Sequence, residues 1–283
     1  MPHIVACIDG SVYSESVADH AAWAGVGLGA SVELLQVLGR REPQPAAPPP
    51  GARRPDAAAD LVRELAEVDA ARAQLVQKRA RLLMGEAKAR VEAGGVPRVG
   101  VTLRQGDLLE AIAEREGKAS LIVIGKRGEG ADFARMHLGS NLERMVRAAR
   151  RPVLVASREF APIRRALIAF DGGPSASKAV DHISRSPLFA GLETHLVTVG
   201  PEDRAARAGL DRAAAQLAGG GLAARTHLVP GAPDAAIAGM VEDLGADLLV
   251  MGAYGHTRIR TLFIGSTTTE MIRSCRVPVL LFR

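Results

Sequence analysis

The sequence contains few cysteines, few aromatic residues and no long apolar run. Only Cys7 and Cys275 are cysteines among 283 residues, which excludes a disulfide framework, and we expect both to be buried thiols. Aromatic residues make up 3% of the chain, too few for a platform on which single-stranded nucleic acid stacks. No apolar run reaches the roughly 18 residues of a membrane span, and the first residues do not form a leader. The sequence therefore predicts a cytoplasmic protein with neither nucleic acid nor membrane as a partner.

The familiar catalytic and phosphate-binding motifs are also absent. The chain has no Gly-x-x-x-x-Gly-Lys-Ser/Thr string, no His-Glu-x-x-His and no Gly-x-Ser-x-Gly, and its seven histidines are scattered. The net charge of +5 is spread over helices that also carry Asp and Glu, so it indicates solvated helix faces rather than a nucleic-acid surface. We therefore predict no metal site and no catalytic residues.

What the chain does contain is an internal repeat. Residues 4–16 and 167–178 each form an apolar strand that ends in Asp-Gly before a serine-bearing helix start. A glycine loop and a closing Pro-Val-Leu strand then follow in the same order in both halves. With 47% apolar residues, a chain of this length can bury two cores. We place the two domains at residues 1–158 and 159–283.

Short Val/Ile/Leu runs alternate with alanine-rich helical segments in each half. This alternation is typical of parallel strands joined by helical crossovers. The sequence thus predicts an α/β protein with two tandem doubly wound domains, each a five-stranded parallel sheet with helices on both faces. Such sheets bind ligands at the carboxyl ends of their strands, where Asp9, Asp171 and both glycine loops fall. The strands are predicted near 3–9, 32–38, 98–104, 120–125, 152–157, 165–171, 194–200, 223–229, 247–252 and 277–282.

The first half carries an insertion between its second and third strands. Residues 42–58 are rich in proline and alanine, a composition for a stiff loop without a core. Residues 59–94 follow as a long helix with one apolar stripe. We interpret this stripe as core packing in preference to a partner-binding face. The stripe comprises Leu61, Leu65, Val68, Leu75, Leu82, Leu83 and Val91.

The glycine loop of the second half is the strongest functional signal. Two glycines follow a strand, and after nine further residues a Gly-Ser-Thr sequence opens a helix. Glycines allow a ligand to approach the backbone, and the amides and dipole of a helix N-terminus favour phosphate. The residues are Gly252, Gly255, Gly265, Ser266 and Thr267.

These residues, with Asp171 after the first strand of the same half, resemble the nucleotide-binding branch of the universal stress protein family. The resemblance extends over both halves and is similar to the tandem type. It implies ATP or a related adenine nucleotide, bound with Mg²⁺, and a role in stress response or signalling. On this resemblance Asp171 would bind ribose or adenine, Val199 would pack on the base, and the glycine motif would hold the phosphates. Because no general base or P-loop lysine is present, any ATP hydrolysis should be slow.

The first half departs from this pattern. Ten residues separate Gly128 from Gly139, two of them the acidic Glu129 and Asp132, and Ser140 is followed by asparagine. The basic residues Lys126, Arg127, Arg135 and His137 would keep the loop positive enough for an anion. We interpret this copy as a degenerate site. Its candidate residues are Asp9, Val37, Gly125, Gly128, Gly139 and Ser140.

Other interpretations stay open at this point. Both glycine loops could merely turn the chain, which would leave a scaffold whose Pro-rich loop and long helix engage an unknown protein partner. An enzyme on a nucleotide-binding sheet, such as an adenylating enzyme, is disfavoured by the resemblance. The resemblance further implies that the strands 152–155 and 278–281 pair edge to edge as an intramolecular pseudo-dimer, which would cover two exposed edges. A homodimer of the whole chain is left open.

Overall fold

The computed structural model describes residues 1–39, 55–128, 139–253 and 265–283. Most of the predicted Pro-rich loop lies outside these residues. The structure contains ten strands, and each begins and ends within three residues of the bounds predicted from the apolar runs. They are β1 (His3–Cys7), β2 (Ser31–Leu38), β3 (Val99–Gln105), β4 (Leu121–Gly125), β5 (Val153–Ala156), β6 (Arg165–Ala169), β7 (Glu193–Val199), β8 (Ala224–Val229), β9 (Leu248–Gly252) and β10 (Val279–Phe282).

Helices connect these strands, as the alternating pattern predicts. They are α1 (Ser14–Leu28), α2 (Pro55–Ala93), α3 (Leu108–Glu116), α4 (Ser140–Ala148), α5 (Pro174–Ser184), α6 (Arg204–Gly219), α7 (Pro233–Asp243) and α8 (Ser266–Ser274), with a short 3-10 turn at Pro187–Phe189. No helix in the parts of the chain that the structure describes is both long enough and apolar enough to cross a membrane.

The strands form one continuous sheet in the order β3-β2-β1-β4-β5-β10-β9-β6-β7-β8. Each half therefore has the doubly wound arrangement, with its switch point between β1 and β4 in the first half and between β6 and β9 in the second. All described pairings are parallel except that of β5 with β10, in which Val155 lies opposite Val279 and Val153 opposite Leu281. The edge pairing of the two closing strands is thus present within one chain.

Alternate residues of each strand face two different helical layers. In β1, Ile4 and Ala6 pack in one core with residues of α1, α2, α5 and α6, whereas Val5 and Cys7 pack in the other with residues of α3, α4, α7 and α8. Both cores draw residues from both halves. The predicted burial of the two thiols is confirmed, with Cys7 8% and Cys275 7% exposed.

The apolar stripe of α2 packs as predicted only near its C-terminal end, where Val91 is buried and Leu83 half-buried. The buried residues are Ala80, Met84, Ala87 and Val91, whereas Val68, Leu75 and Leu82 are 63%, 66% and 61% exposed. Among residues 62–93 of this helix, the buried side chains all lie in the C-terminal part, from Ala80 onwards. The helix begins at Pro55, inside the segment predicted as loop, and proline suits a first helical turn.

A partly buried carboxylate, that of Glu33, joins β2 to its neighbours. Glu33 accepts hydrogen bonds from Thr102 Oγ1 at 2.7 Å, from Arg115 Nε at 2.8 Å and from His3 Nε2 at 3.3 Å. Burial raises the pKa of Glu33, but the hydrogen bonds from Arg115, Thr102 and His3 outweigh it and hold that pKa below its ordinary value. The charged form therefore stabilises the junction of β1, β2, β3 and α3.

The Glu33→Gln variant should lose stability in a pH-dependent way. Because the folded-state pKa is depressed, the carboxylate stabilises the protein above the unfolded-state pKa of about 4.5, and this stabilisation is lost as the pH falls through the lower folded-state pKa. We expect about 1 to 2 kcal/mol of destabilisation at neutral pH, shrinking towards pH 4 in urea unfolding. Glu92→Gln, which breaks an exposed pair with Lys88, is the control and should cost about 0.5 kcal/mol or less. An unchanged gap between wild type and Glu33→Gln across this range would contradict the prediction.

Candidate functional site

Each half has a cleft at its switch point, at the carboxyl ends of the strands. The second-half cleft has a volume of about 270 Å³, and the six described residues predicted for this site all line it; Gly255 lies outside the described residues. The first-half cleft has a volume of about 530 Å³ and includes the five equivalent residues of its half. The predicted residues that line the second-half cleft are Asp171, Val199, Gly252, Gly265, Ser266 and Thr267. Those that line the first-half cleft are Asp9, Val37, Gly125, Gly128 and Gly139. Ser140 is the first residue of α4.

The floor of the second cleft is apolar. Val199 at the end of β7 and Met251 in β9 lie beside Ile237, which projects from α7 and is 4% exposed. The sequence interpretation missed Ile237 and Pro233, both of which belong to the crossover helix. The sequence did contain a signal, because Gly231 precedes α7 just as Gly106 precedes α3 in the first half. An apolar floor of this kind suits the face of a flat ring.

Each cleft has a carboxylate after the first strand of its half. Asp171 Oδ1 accepts a hydrogen bond from the Gly173 amide at 2.8 Å, and the intervening Gly172 has φ of 75°, a conformation that favours glycine. Asp9 Oδ1 accepts bonds from the Ser11 amide at 3.0 Å and from Ser14 Oγ at 3.3 Å. The Asp-Gly turns thus hold both carboxylates at the cleft rims, although Asp171 is the more exposed of the two.

The first glycine of each loop has a packing role. A Cβ atom on Gly252 would lie 2.9 Å from Ser175 Cβ and 3.0 Å from the Ala176 amide nitrogen, and one on Gly125 would lie 2.7 Å from Tyr13 Cβ. These glycines let the beginning of α5, or the residue before α1, approach the strand end closely. Their presence is therefore explained by helix packing as well as by space for a ligand.

The helices α8 and α4 begin at the clefts without side-chain caps. Gly265 and Gly139 occupy the N-cap positions, and α1, α5 and α7 also lack a side-chain cap, whereas α3 and α6 are capped by Asp107 and Asp203. The Gly265 amide donates to the Ala253 carbonyl at 3.2 Å, so this amide closes the loop. The donors that the helix presents to an anion in the second cleft are therefore the amides and hydroxyls of Ser266 and Thr267.

Lys126 does not act as the sequence predicts. It is 8% exposed, and its Nζ donates to the Cys275 carbonyl at the C-cap of α8, so its charge is directed to the second half and not to the first cleft. A cation at a helix C-terminus is favoured by the helix dipole. Arg127 does line the first cleft, together with Asn141. Glu129, Asp132, Arg135 and His137 lie outside the described residues.

Lys126→Met should alter the pH dependence of stability. Burial, and to a smaller extent Arg127, lowers the pKa of Lys126 from its ordinary 10.5. The unfolded chain therefore binds more protons than the folded one between these two pKa values, and wild-type stability rises with pH in that window. We therefore expect the free energy of unfolding of Lys126→Met, relative to that of the wild type, to decrease from pH 7 towards pH 10 in urea unfolding. If the two free energies change in parallel with pH, the lowered pKa of Lys126 is contradicted.

The chemical capacity of the clefts is for binding. Burial, followed by the charge of Asp9, raises the pKa of Cys7 to about 12, so the thiol beside the first cleft stays protonated and is a poor nucleophile. Within the described ranges no three His, Cys, Asp or Glu side chains are grouped to hold a metal ion. An uncapped helix start, a rim carboxylate and an apolar floor can hold a phosphorylated ring compound.

Comparison with known proteins agrees with this fold. The sequence model of the universal stress protein family matches residues 1–157 and 200–283. The chain is 36% identical to Universal stress protein Slr1230 of Synechocystis sp. over 287 aligned positions, covering 100% of both chains. The crystal structure of a universal stress protein from Archaeoglobus fulgidus covers 99% of this chain and 98% of its own, with 21% identity and a TM-score of 0.72.

A universal stress protein solved in complex with cAMP covers 44% of this chain and 98% of its own, with 24% identity and a TM-score of 0.38, and that ligand belongs to that protein. The family match spans more than half of the chain, and the relative from Synechocystis extends over all of it. The chain therefore belongs to the universal stress protein family, with one copy of the doubly wound fold in each half.

Proposed function

We propose that the protein binds one adenine nucleotide per chain, in the cleft of its second domain, and acts in stress response or signalling. We place the domains at residues 1–158 and 159–283. The observation that carries the proposal is the cleft of about 270 Å³ that combines Asp171, an apolar floor and the uncapped start of α8. These are the three groups that a ribose, a base and a phosphate require.

Each part of the nucleotide has a complementary part of the cleft. The base packs on Val199 and Ile237, and the carboxylate of Asp171 accepts hydrogen bonds from the ribose hydroxyls or the adenine amine. The phosphates lie at the N-terminus of α8, where Ser266 and Thr267 supply amides and hydroxyls. Hydrogen bonds to charged groups contribute roughly 1.5 to 3 kcal/mol each, so a small set supports binding in the micromolar range.

Mg²⁺ is proposed to enter with ATP. This ion prefers oxygen ligands and keeps several of its waters. Phosphate oxygens and water molecules would therefore provide most of its ligands. The oxygen ligands that the described lining residues offer are the carboxylate of Asp171 and the hydroxyls of Ser266 and Thr267. Asp171 is the carboxylate among the described lining residues, and we assign it to the ribose or the base, so we expect hydrolysis to be slow and binding to be the principal activity.

Calorimetric titration of nucleotide-stripped protein tests this proposal. We expect Mg-ATP to bind with a stoichiometry of one per chain and a dissociation constant in the micromolar range, of order 10⁻⁶ M. Parallel titrations with AMP, cAMP and GTP would define the contribution of the phosphates and the base. Mass spectrometry of small molecules that copurify with the protein gives an independent identification. Failure of every nucleotide to bind would favour the scaffold hypothesis.

One observation favours a scaffold role as a second candidate. The long helix α2 presents large apolar side chains to solvent at the positions of Val68, Leu75 and Leu82. Such an exposed line is typical of a protein interface. The two functions are compatible, because α2 and the second-domain cleft belong to different halves of the chain.

A further inference from the structure

The outward face of α2 has the sequence period of a helix-pairing surface. Val68, Leu75 and Leu82 follow one another at intervals of seven residues, so they share one side of the helix over two intervals. All three are more than 60% exposed. This face of α2, with the charged residues that flank it between positions 64 and 79, is called the outward seam below.

The outward seam lies opposite the face with which α2 packs on the body of the protein. Met84 is 1% exposed and lies nine residues after Leu75, about two and a half helical turns, which places the two side chains on opposite sides. Ala80, Ala87 and Val91 share the side of Met84. Substitutions at Val68, Leu75 and Leu82 can therefore change an interface without disturbing the core.

The charges along the seam are segregated by sign. Glu64, Glu67 and Asp69 lie in its N-terminal part, where Arg63 is the one basic residue between positions 62 and 71. The segment 72–83 carries Arg72, Lys78, Arg79 and Arg81 and contains no acidic residue. Of these, Glu64, Glu67, Arg72, Lys78 and Arg79 are within about 80° of the direction of Leu75 at 3.6 residues per turn.

We propose that two copies of this chain dimerise by antiparallel pairing of their α2 helices along the outward seam. A two-fold axis between residues 71 and 72 sets Val68 of each copy opposite Leu75 of the other, and Glu64 opposite Arg79. The acidic part of each helix then meets the basic part of its partner, and the same surface is used by both copies, as a two-fold interface requires. The pairing from 61 to 82 extends over about 32 Å of helix.

The distribution of charge favours a second copy of this chain as the partner of the outward seam, in the antiparallel orientation. Parallel pairing would set like charges side by side, which disfavours it. A second copy supplies both the apolar line and the complementary charges that the seam requires. The closing strands β5 and β10 already pair with each other within the chain, so they are not available for association between chains.

Sedimentation measurements of the full-length protein over a range of concentrations test the proposal. The wild type should form a dimer, and Leu75→Glu should raise the dimer dissociation constant by about tenfold or more because it puts a carboxylate in the apolar line. Val26→Glu is the matched control, since Val26 is 55% exposed on α1, and it should leave the dimer unchanged. Circular dichroism and urea unfolding should show that Leu75→Glu retains its fold.

A charge exchange distinguishes this interface from every other dimer. Glu64→Lys with Glu67→Lys, and separately Lys78→Glu with Arg79→Glu, should each weaken the homodimer because like charges then meet. An equimolar mixture of the two double variants should dimerise again, because the reversed acidic part of one chain meets the reversed basic part of the other. A monomeric wild type, a dimer insensitive to Leu75→Glu, or double variants that do not associate on mixing would each overturn the proposal.

Discussion

Replacing Asp171 with asparagine is expected to weaken adenine nucleotide binding by about 10- to 100-fold, because the loss of a hydrogen bond to a charged acceptor costs roughly 1.5 to 3 kcal/mol. The amide oxygen of asparagine can still accept the bond from the Gly173 amide, which Asp171 Oδ1 accepts at 2.8 Å, so the turn is retained. Since the side chain is exposed, stability should change by about 0.5 kcal/mol or less. Calorimetric titration with Mg-ATP measures the first effect and urea unfolding the second.

Asp9→Asn provides the matched control in the first half. Asp9 occupies the equivalent position after β1 and lines the other cleft. If the nucleotide binds only in the second domain, Asp9→Asn leaves both affinity and stoichiometry at their wild-type values. A loss of binding in Asp9→Asn, with Asp171→Asn unaffected, would reverse the proposed assignment of the two clefts.

Replacing Gly252 with alanine is expected to destabilise the protein by about 1 to 3 kcal/mol, the usual cost of overpacking a close contact. The added Cβ would lie 2.9 Å from Ser175 Cβ and 3.0 Å from the Ala176 amide nitrogen, so α5 must shift or β9 must bend. The same displacement distorts the cleft, and nucleotide affinity should fall as well. Urea unfolding and calorimetry on one preparation measure both effects.

Gly239→Ala tests whether this effect comes from the close contact. Gly239 lies within α7, and a Cβ atom there would have no neighbour within 4 Å. Because alanine is the better helix former, this control should be neutral or stabilising by up to about 1 kcal/mol. If Gly252→Ala is as stable as wild type yet loses nucleotide, the glycine serves ligand approach and not helix packing.

The apolar runs and the internal repeat suffice to predict the architecture. Parallel strands buried on both faces are near-continuous apolar runs, so all ten strands could be located within three residues at either end. The position of the clefts follows from the same pattern, because the carboxyl ends of parallel strands share one edge. For this reason Asp171 and Thr267, which are far apart along the chain, were predicted to lie together and do line one cleft. The family resemblance added Val199, which lines the same cleft.

Side-chain partners could not be predicted in the same way. The sequence indicates that Lys126 belongs to a glycine loop, but its contact with the Cys275 carbonyl depends on how the two halves meet across β5 and β10. The loop-closing bond from the Gly265 amide to the Ala253 carbonyl likewise depends on the path of the folded backbone. Contacts between distant segments leave no periodic signal in the sequence.

The sequence by itself determined the α/β class, the repeat and the edge where the clefts form, because these follow from local periodicity and chain order. Only the tertiary structure decided which side of α2 is buried. Apolar residues lie on two sides of that helix, and the side containing Met84 is buried because it faces the body of the protein. The line through Leu75 is left on the surface, where the length of the helix and the charges beside it make it available to a second chain.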